Sequence, residues 1–318
     1  MWSKNKRLMI VSGSSNIQLA KELAREAKKP LAKIKIAHFA DGEIYVRFNE
    51  NVRGSDLFII QSTNTNNNLM ELLILIDAAK RASAERITAV IPYYGYARQD
   101  RKAKPREPIT AKLVANLITT AGAHRILSVD LHCPQIQGFF DIPLDDTWAL
   151  PLFANYLYDK KMKNLVVVSP DAGGVTRARR LAKILHASMA VIDKRRTDHN
   201  VGEVMHILGD VSGKNAIIID DIIDTGGSIV NATNAVKKQG AKNIFLCATH
   251  PVFSKDAILR LVNSVALEII VTNSIPFQKH KKIKVLSLGK MLGKSILSIH
   301  KNESVSLIHK EILKRNLQ

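Results

Sequence analysis

The stretch that most constrains this chain is residues 216–228, which read AIIIDDIIDTGGS. The apolar run at its start predicts a strand that is buried on both faces. Its carboxylates then stand where a parallel strand ends, at the edge where open α/β sheets bind ligands. Gly226 and Gly227 let backbone N–H groups approach an anion at the start of the next helix. The stretch therefore predicts a pocket for a phosphorylated sugar.

The same order of strand, polar turn and helix recurs along the chain. Strands are predicted at residues 8–11, 57–63, 87–91 and 165–169, and each is followed by a polar turn and a segment with helical spacing of apolar residues. This alternation is typical of an α/β protein with mainly parallel sheets. Because the units fall into two sets, we predict two domains of similar build, residues 1–150 and 151–318.

Composition narrows the class of protein. A net charge of +19 and a sequence pI near 9.9 call for an anionic partner or a strongly solvated basic surface. Aromatic residues make up 5% of the chain, too few for an obvious stacking platform, so no specific nucleic acid partner is expected. The two cysteines form no disulfide framework or zinc motif. With no signal peptide or membrane-spanning apolar run, we predict a cytoplasmic enzyme without a membrane partner.

Two segments of the first half carry candidate anion-binding or polar groups. The loop PYYGYARQDRK at residues 92–102 follows a predicted buried strand and holds Arg98 and Arg101, whose guanidinium groups can bind phosphate in bidentate fashion. It could clamp a polyphosphate, and a basic surface loop fits equally well. The segment FADGE at residues 39–43 precedes alternating strand residues, and a turn with solvated acids is its simpler interpretation.

Other charged groups stand at further predicted strand ends. His132 follows the strand of SVDLHCP, and Asp171 follows VVVSP. Each alone could be structural, since a lone histidine usually is and an acid can cap a helix. Together they could hold a partly hydrated magnesium ion that is already bound to phosphates. The run of Lys194, Arg195 and Arg196 opens a polar segment, which is typical of a solvated face but also of a lid over a phosphoryl group.

Two apparent motifs are set aside. Residues 220–224 match the DDxxD diphosphate signature, which belongs to a helix of an all-helical fold, whereas here isoleucines precede it and Gly-Gly follows. Residues 289–295, GKMLGKS, nearly match a P-loop but have three residues between the glycines in place of four.

The motifs together resemble those of the ribose-phosphate pyrophosphokinase (phosphoribosyl pyrophosphate synthetase) family of the common bacterial type. The resemblance extends over nearly the whole chain, from about Leu8 to the HKNESVS segment near the end. The motifs stand in the family's order: DGE, YGYARQDRK, PITAKLVANL, VDLH, QIQGFFDIP, SPDAGGVTRAR, IDKRR, DDIIDTGG and THPVFS.

The resemblance implies an activity and an architecture. The activity is transfer of the diphosphoryl group of ATP to the 1-hydroxyl of ribose 5-phosphate, which gives phosphoribosyl pyrophosphate and AMP and requires Mg²⁺. The fold would be α/β with two phosphoribosyltransferase-like domains, the first contributing the ATP clamp and the second the ribose 5-phosphate site and the lid. The chains would assemble into homohexamers with the ATP site shared between subunits.

The resemblance also implies site residues. Lys194 and Arg196 would be catalytic, and His132 and Asp171 would be metal ligands. The implied ATP-binding residues are Phe39, Asp41, Gly42, Glu43, Arg98, Gln99 and Arg101. The implied ribose 5-phosphate-binding residues are Arg196, Asp220, Asp221, Asp224, Thr225, Gly226, Gly227 and Ser228.

Three other functions are open to the same sequence. A phosphoribosyltransferase that consumes phosphoribosyl pyrophosphate would use a DDIIDTGG motif in the same way, but it has no need of the ARQDR clamp and the DKR segment. A non-catalytic regulatory homologue would have lost the cations or metal ligands, and those residues are present. General nucleic acid binding would show itself by steep salt dependence.

Overall fold

A computed structural model describes residues 6–195 and 204–314, with the backbone alone at residues 194, 195, 204 and 205. Contacts within the chain divide it into two compact units. The first comprises Met1–Trp148, Ser274–Pro276 and Ser287–His309, and the second comprises Ala149–Asn273, Phe277–Leu286 and Lys310–Gln318. The C-terminal segment is thus shared between the units, whereas the sequence assigns all of it to the second domain; the domain boundaries stay a prediction.

The first unit contains a five-stranded parallel sheet in the order β1-β4-β5-β6-β7, beside a two-stranded hairpin of β2 and β3. Its strands are β1 (Leu8–Ser12), β2 (Ile34–His38), β3 (Ile44–Phe48), β4 (Asp56–Ile60), β5 (Arg86–Ile91), β6 (Arg125–Val129) and β7 (Leu144–Thr147). Every residue of β4 and β5 is buried, as expected for strands covered on both faces. The predicted parallel sheet is confirmed, although β4 ends three residues before the predicted end at 63.

Helices flank this sheet: α1 (Ile17–Glu26), α2 (Asn66–Arg81) and α3 (Thr110–Ala121), with a short 3-10 helix at Pro134–Phe139. Side-chain caps fix where two of them begin. The Asn16 side chain accepts a hydrogen bond from the Leu19 N–H, and the Thr65 side chain accepts one from Asn68 N–H. The Thr65 cap explains why α2 begins before the apolar run that signals it in the sequence.

The second unit contains a seven-stranded sheet in the order β10-β9-β8-β11-β12-β13-β14. Its strands are β8 (Leu165–Ser169), β9 (Ser188–Arg195), β10 (Val204–Leu208), β11 (Asn215–Ile223), β12 (Asn243–Pro251), β13 (Glu268–Thr272) and β14 (Ile283–Leu286). β10 runs antiparallel to β9, and the other pairs are parallel. The helices of this unit are α4 (Leu150–Asp159), α5 (Val175–Ile184), α6 (Gly227–Lys238) and α7 (Ala257–Val262).

The strand of the opening stretch is longer than the sequence suggests. We expected it to end at Ile219, so that the carboxylates would follow it, but β11 continues through Ile223. The reason is its neighbour β12, which pairs with β11 as far as the register Ile223↔Pro251. Asp220 and Asp221 therefore lie inside the strand, and Asp224 is the first carboxylate after it.

The C-terminal part of the first unit contains α8 (Gly289–Lys301), which packs against α1 and precedes α9 (Ile308–Ile312). The glycines of GKMLGKS lie in this helix. A Cβ at Gly289 would stand 2.7 Å from Glu22 Cβ, and one at Gly293 would stand 2.6 Å from Glu26 Cβ. The two glycines let the helices approach closely, so the P-loop-like pattern has a packing explanation.

A buried polar cluster fixes α8 to the sheet. Arg86 Nε lies 2.7 Å from Asp56 Oδ1 and Arg86 Nη2 lies 2.5 Å from Asp56 Oδ2, while Nη2 also donates to the Ile299 carbonyl at 2.9 Å. His300 Nδ1 lies 2.8 Å from Asp56 Oδ2. The Asp56 carboxylate is fully buried, and these partners supply the hydrogen bonds that such a charge needs. No residue of this cluster was singled out from the sequence.

In the part of the chain that the structure describes, no helix is both long enough and apolar enough to span a membrane.

Candidate active site

The end of β11 extends beyond its neighbour β8, and this extension carries Asp220 and Asp221. β8 pairs with β11 only from Asn215 to Ile218, whereas β12 continues beside it to Ile223. Beyond Ile218, β12 is therefore the strand that pairs with β11 within the described residues. Asp220 and Asp221 lie in this segment, at the carboxyl edge of the sheet. Both remain largely buried, with 25% and 6% of their side-chain surfaces exposed.

Arg177, in the first half of α5, binds both of these carboxylates. Its Nη1 lies 3.2 Å from Asp220 Oδ1, and its Nη2 lies 3.3 Å from Asp221 Oδ1. The guanidinium fork is suited to this because its two outer nitrogens can each engage one acid. Sequence analysis missed Arg177. The signal was present in SPDAGGVTRAR, where Arg177 is one of two arginines at the start of α5.

Burial and the neighbouring carboxylate change the acidity of the pair. Burial, followed by the charge of Asp221, raises the pKa of Asp220 to about 8, while Arg177 acts in the opposite direction. Asp220 Oδ1 also accepts a hydrogen bond from the Asp221 backbone N–H at 2.9 Å. At neutral pH and without a ligand, the pair therefore shares one proton more readily than two separate surface acids would.

The loop after β11 leads into α6 through Gly226 and Gly227. Gly226 has φ of +77° and precedes the first residue of α6. This left-handed conformation favours glycine, and the first N–H groups of the helix that follows have no partner within the helix. The loop backbone is held from below, because Ser254 N–H donates to the Asp224 carbonyl at 3.1 Å. Thr225 and Ser228 are exposed, so their hydroxyls remain available to a phosphate at the helix start.

Asp171 occupies the equivalent position after β8. One of its oxygens, Oδ1, accepts a hydrogen bond from the Gly174 N–H at 3.0 Å, and its carbonyl accepts one from Ser169 Oγ at 2.7 Å. The side chain is half-buried. This geometry matches the capping interpretation of the sequence, and it also holds the carboxylate in a defined orientation at the same edge as β11.

In the first unit, the predicted ATP clamp follows β5. Gly95 N–H donates to Thr63 Oγ1 at 2.7 Å, and a Cβ at Gly95 would overlap the Thr63 carbonyl oxygen. Tyr93 and Tyr94 are buried, and burial raises the pKa of the Tyr94 phenol. Tyr94 OH donates to the Ala111 carbonyl at 2.8 Å. These two tyrosines therefore anchor the loop in the core.

The predicted ATP-binding side chains of the clamp are exposed. Arg98, Gln99 and Arg101 all lie at the surface. Gln99 is tied to the start of α3, since Thr110 Oγ1 lies 2.5 Å from its Oε1 and Ala111 N–H donates to its carbonyl at 3.1 Å. The loop base is fixed while its cationic groups face solvent.

The loop after β6 contacts the clamp. His132 is exposed, and the next residue, Cys133, donates from Sγ to Asp100 Oδ2 at 3.2 Å. The loop is also held to β7, because Asp130 N–H donates to the Thr147 carbonyl at 2.8 Å. The clamp and the loop that carries the predicted metal ligand His132 thus touch through Cys133, at the carboxyl edge of the adjacent strands β5 and β6.

The FADGE segment forms the turn of the β2–β3 hairpin. Phe39 N–H donates to the Glu43 carbonyl at 2.8 Å, and Glu43 N–H donates to Asp41 Oδ1 at 3.0 Å. Gly42 has φ of +96°, which the turn requires. Phe39 is 57% exposed, an unusual state for a phenylalanine, and it makes an edge contact with Tyr45.

Of the two predicted catalytic cations, the structure describes only the backbone of Lys194. The Lys194 backbone lies in β9, opposite Met205 of β10. Arg196 lies outside the described residues.

The two predicted metal ligands lie in different units: His132 belongs to the first unit, whereas Asp171 belongs to the second. Among the described residues, no group of three or more His, Cys, Asp and Glu side chains is placed to hold a metal ion.

Two family models match this chain in successive segments. Residues 8–122 match the family described as the N-terminal domain of ribose phosphate pyrophosphokinase, and residues 199–310 match the phosphoribosyl synthetase-associated domain. A ribose-phosphate pyrophosphokinase of Fusobacterium nucleatum is 55% identical over 304 residues, covering 93% of this chain and 96% of that protein. The protein of the same name from Bacillus subtilis is 53% identical over 309 residues, covering 96% and 98%.

A solved structure shows the same relationship. The crystal structure of phosphoribosylpyrophosphate synthetase from Mycobacterium smegmatis superposes with a TM-score of 0.88 at 44% sequence identity. It covers 93% of this chain and 100% of that one.

Proposed function

Because the chain belongs to the ribose-phosphate pyrophosphokinase family, we propose that the carboxyl edge of its second sheet is the ribose 5-phosphate site and that loops of its first unit bind ATP. The enzyme transfers the diphosphoryl group of ATP to the 1-hydroxyl of ribose 5-phosphate. The hydroxyl oxygen bonds to the β-phosphorus, the bond from that phosphorus to the oxygen bridging the α-phosphate breaks, and AMP leaves. One observation supports this site assignment above all. Two aspartates lie near the end of β11, and the helix that follows this strand begins at a pair of glycines.

Asp220 and Asp221 bind the ribose hydroxyls as hydrogen-bond acceptors, with Arg177 as their positioning residue. Arg177 holds both carboxylates at 3.2 and 3.3 Å and so fixes their separation before any ligand arrives. Its charge also opposes protonation of Asp220. The aspartates orient the sugar and perform none of the bond-making themselves, which makes this edge an acceptor half-site.

Residues 224–228 receive the 5-phosphate. Backbone N–H groups at the start of α6 point at the ligand, and the helix dipole favours its negative charge. The hydroxyls of Thr225 and Ser228 add neutral donors. Because Gly226 and Gly227 lack side chains, the phosphate can approach this backbone closely.

Arg98, Gln99 and Arg101 bind ATP from the clamp after β5. Their exposure leaves the guanidinium groups accessible to phosphate oxygens. The hairpin turn supplies the adenine contacts through Phe39, Asp41, Gly42 and Glu43. The exposed Phe39 ring offers an apolar face for a purine base.

We propose that the ATP site is shared between subunits of a homohexamer, as the family resemblance implies. The exposed Phe39 ring of the hairpin turn would contact the adenine bound to a neighbouring subunit. Light scattering tests the assembly: a mass near six chains supports it, and a monomer at assay concentrations contradicts it.

Magnesium is the proposed cofactor, with Asp171 and His132 as its protein ligands. Mg²⁺ prefers oxygen ligands and usually keeps waters and substrate phosphates around it. The oriented Asp171 carboxylate fits that preference. When bound, Mg²⁺ would neutralise charge on the phosphate oxygens. His132 would contribute its imidazole nitrogen from the loop after β6.

Lys194 and Arg196 are the proposed catalytic cations. Phosphoryl-type transfer depends on in-line placement and on neutralising charge on the nonbridging oxygens. Lys194 lies near the carboxyl end of β9, a strand in the same sheet as β11, and Arg196 follows β9 in the sequence. Because water competes with the sugar hydroxyl, the cations should act in a site that closes over the substrates.

The direct test is AMP formation from ATP and Mg²⁺ with and without ribose 5-phosphate. We expect AMP release to depend on the sugar phosphate. Lys194→Ala should keep the folded state and lose turnover by a factor of about 10² to 10³, as single-donor deletions do. Sugar-independent AMP release, or near-normal release by the variant, contradicts the proposal.

A further inference from the structure

The second unit contains a cavity of about 490 Å³ at the edge of its sheet that faces away from the proposed acceptor half-site. Its walls include Asn243, which begins β12, and Lys282, which directly precedes β14. Because β11 and β12 run parallel, the beginning of β12 and the end of β11 lie at opposite edges of the sheet. This cavity, which we term the amino-edge cavity, is therefore separate from residues 220–228.

The only carboxylate that lines the amino-edge cavity, Glu268, is already paired. Lys160 Nζ lies 2.8 Å from Glu268 Oε2, and Tyr156 OH donates to Glu268 Oε1 at 2.6 Å. Lys160 also stands over two aromatic rings, 4.8 Å from the centroid of Tyr156 and 5.5 Å from that of Phe245. The charges of Lys160 and Glu268 therefore compensate each other.

Two further lysines of the lining carry charge without an acidic partner. Within residues 6–195 and 204–314, neither Lys281 nor Lys282 forms an ion pair. Lys282 Nζ donates to the carbonyls of Val262 and Ser264 at 2.9 and 2.7 Å, which holds the ammonium in place but leaves its charge uncompensated. Burial lowers the pKa of Lys282, an effect that a nearby anion would oppose. The lining thus has a net charge of about +2 at neutral pH.

The same cavity has an apolar side. Phe245 is buried in its floor, and Leu267 is 58% exposed beside it. Met162 completes this surface and is half-buried. Apolar side chains beside two ammonium groups suit a ligand that has both an anionic and an apolar part. The volume falls within the range of small-molecule sites, about 300 to 1,000 Å³.

We propose that the amino-edge cavity binds a small organic phosphate monoester, with its dianionic phosphate on Lys281 and Lys282 and its apolar part on Phe245, Met162 and Leu267. A phosphate monoester carries close to two negative charges at pH 7, which matches the uncompensated charge of the lining. Asn243 lies beside the same walls and can hydrogen-bond the ester. A long polyanion fits less well, because the apolar walls would remain uncovered.

The test uses 4-bromophenyl phosphate as the probe on the full chain. Titration calorimetry measures its affinity for the wild type and for Lys281→Glu, and anomalous scattering from bromine in soaked crystals locates it. We expect bromine beside Leu267 and an affinity loss of roughly tenfold or more in the variant, since a hydrogen bond between charged groups contributes about 1.5–3 kcal/mol. Inorganic phosphate should bind the cavity more weakly because it lacks the apolar part.

Lys279→Glu is the matched control, because Lys279 is an exposed lysine of the same segment that does not line the cavity. It should change the affinity by less than about twofold. Bromine found only at residues 220–228, or equal affinity in wild type and Lys281→Glu, overturns the proposal. Failure of the active-site assignment would show separately, as loss of sugar-dependent AMP formation, which Lys281→Glu is expected to retain.

Discussion

The acceptor half-site and the ATP clamp occupy the same position on their respective sheets, yet they are built differently. At the end of β11, Asp220 and Asp221 are largely buried and share the guanidinium of Arg177. At the end of β5, the residues that anchor the loop are buried, while Arg98, Gln99 and Arg101 are exposed.

This difference in burial indicates which part of the site already has its binding geometry before substrate binds. Carboxylates that are buried and paired already have the geometry in which a ribose would find them, so little ordering remains to be done on binding. Exposed arginines must lose side-chain freedom when they engage phosphates. We therefore expect the acceptor half-site to be sensitive to changes in its supporting residues, and the clamp to be sensitive chiefly to loss of its contacting residues.

The largest effect should come from removing the support of the acceptor half-site. Arg177→Gln should lower kcat/KM for ribose 5-phosphate by about 100-fold, because hydrogen bonds to charged groups contribute about 1.5–3 kcal/mol each. Arg177→Lys should lose less, since it keeps the charge but cannot engage both acids with a planar fork. Steady-state kinetics with each substrate varied in turn measures the effect.

Arg179→Gln controls for the loss of a positive charge from the same helix, because Arg179 is exposed. It should leave kcat/KM within about twofold of wild type. If Arg177→Gln raises the KM of ATP as much as that of ribose 5-phosphate, the contrast between the two regions fails.

A second effect concerns pH. The raised pKa of Asp220, about 8, means that the carboxyl ionises as pH rises through that value. Since the ionised form accepts stronger hydrogen bonds, ribose 5-phosphate should bind up to about tenfold more tightly at pH 9 than at pH 7. Stability should change in the opposite direction, because a carboxyl with a raised folded-state pKa stabilises at low pH and loses that contribution as pH rises through the raised value.

The KM for ribose 5-phosphate and the midpoint of thermal unfolding, both measured from pH 7 to 9, test this prediction. Asp220→Asn removes the ionisation and should flatten both profiles in that range. Arg177→Gln should move the midpoint of the kinetic profile to higher pH, because Arg177 lowers the pKa of Asp220. A wild-type profile no steeper than that of Asp220→Asn contradicts the assignment.

A smaller effect is expected at the clamp. Arg101→Ala should raise the KM of ATP about tenfold by loss of one charged contact to phosphate. The free energy of unfolding should change by less than about 0.5 kcal/mol, as is usual for an exposed side chain. Chemical denaturation measures the free energy of unfolding, and steady-state kinetics measures the KM of ATP. A destabilised variant would show that the clamp is preorganised to the same degree as the acceptor half-site.

The smallest effect should follow from the link between the clamp and the loop of His132. Cys133→Ala removes the hydrogen bond from Sγ to Asp100 and should raise the KM of ATP by about two- to fivefold, in keeping with a weak neutral donor. Cys133→Ser restores a donor and should recover most of the affinity. Equal kinetics in the alanine and serine variants would mean that this contact plays no part in placing the clamp.

Sequence reasoning recovered the elements whose signals are local. The apolar runs of β4, β5 and β8, and the helices that follow them, needed only periodicity and turn residues. The end of β11 was placed wrongly because aspartates disfavour strands, while the pairing partner that extends the strand lies in β12, about 30 residues further along the chain.

Contacts between distant residues were beyond the sequence. Arg177 and Asp220 are 43 positions apart, and helical spacing does not say which of the neighbouring arginines faces the strand. The Arg86–Asp56 pair crosses between two strands and then to α8, so it depends on the order of strands in the sheet. The motif resemblance indicates where the chemistry takes place, but the packing that supports it depends on contacts between residues that are distant in the sequence.

The seating of α8 against α1 has a consequence for how the protein is made. The helix with Gly289 and Gly293 comes late in the chain, whereas the partner surface at Glu22 and Glu26 comes early. During synthesis, one face of α1 is therefore exposed until α8, the helix that covers it, emerges from the ribosome. The first unit therefore cannot be completed until α8 has been synthesised, and until then this face of α1 is a surface that chaperones would recognise.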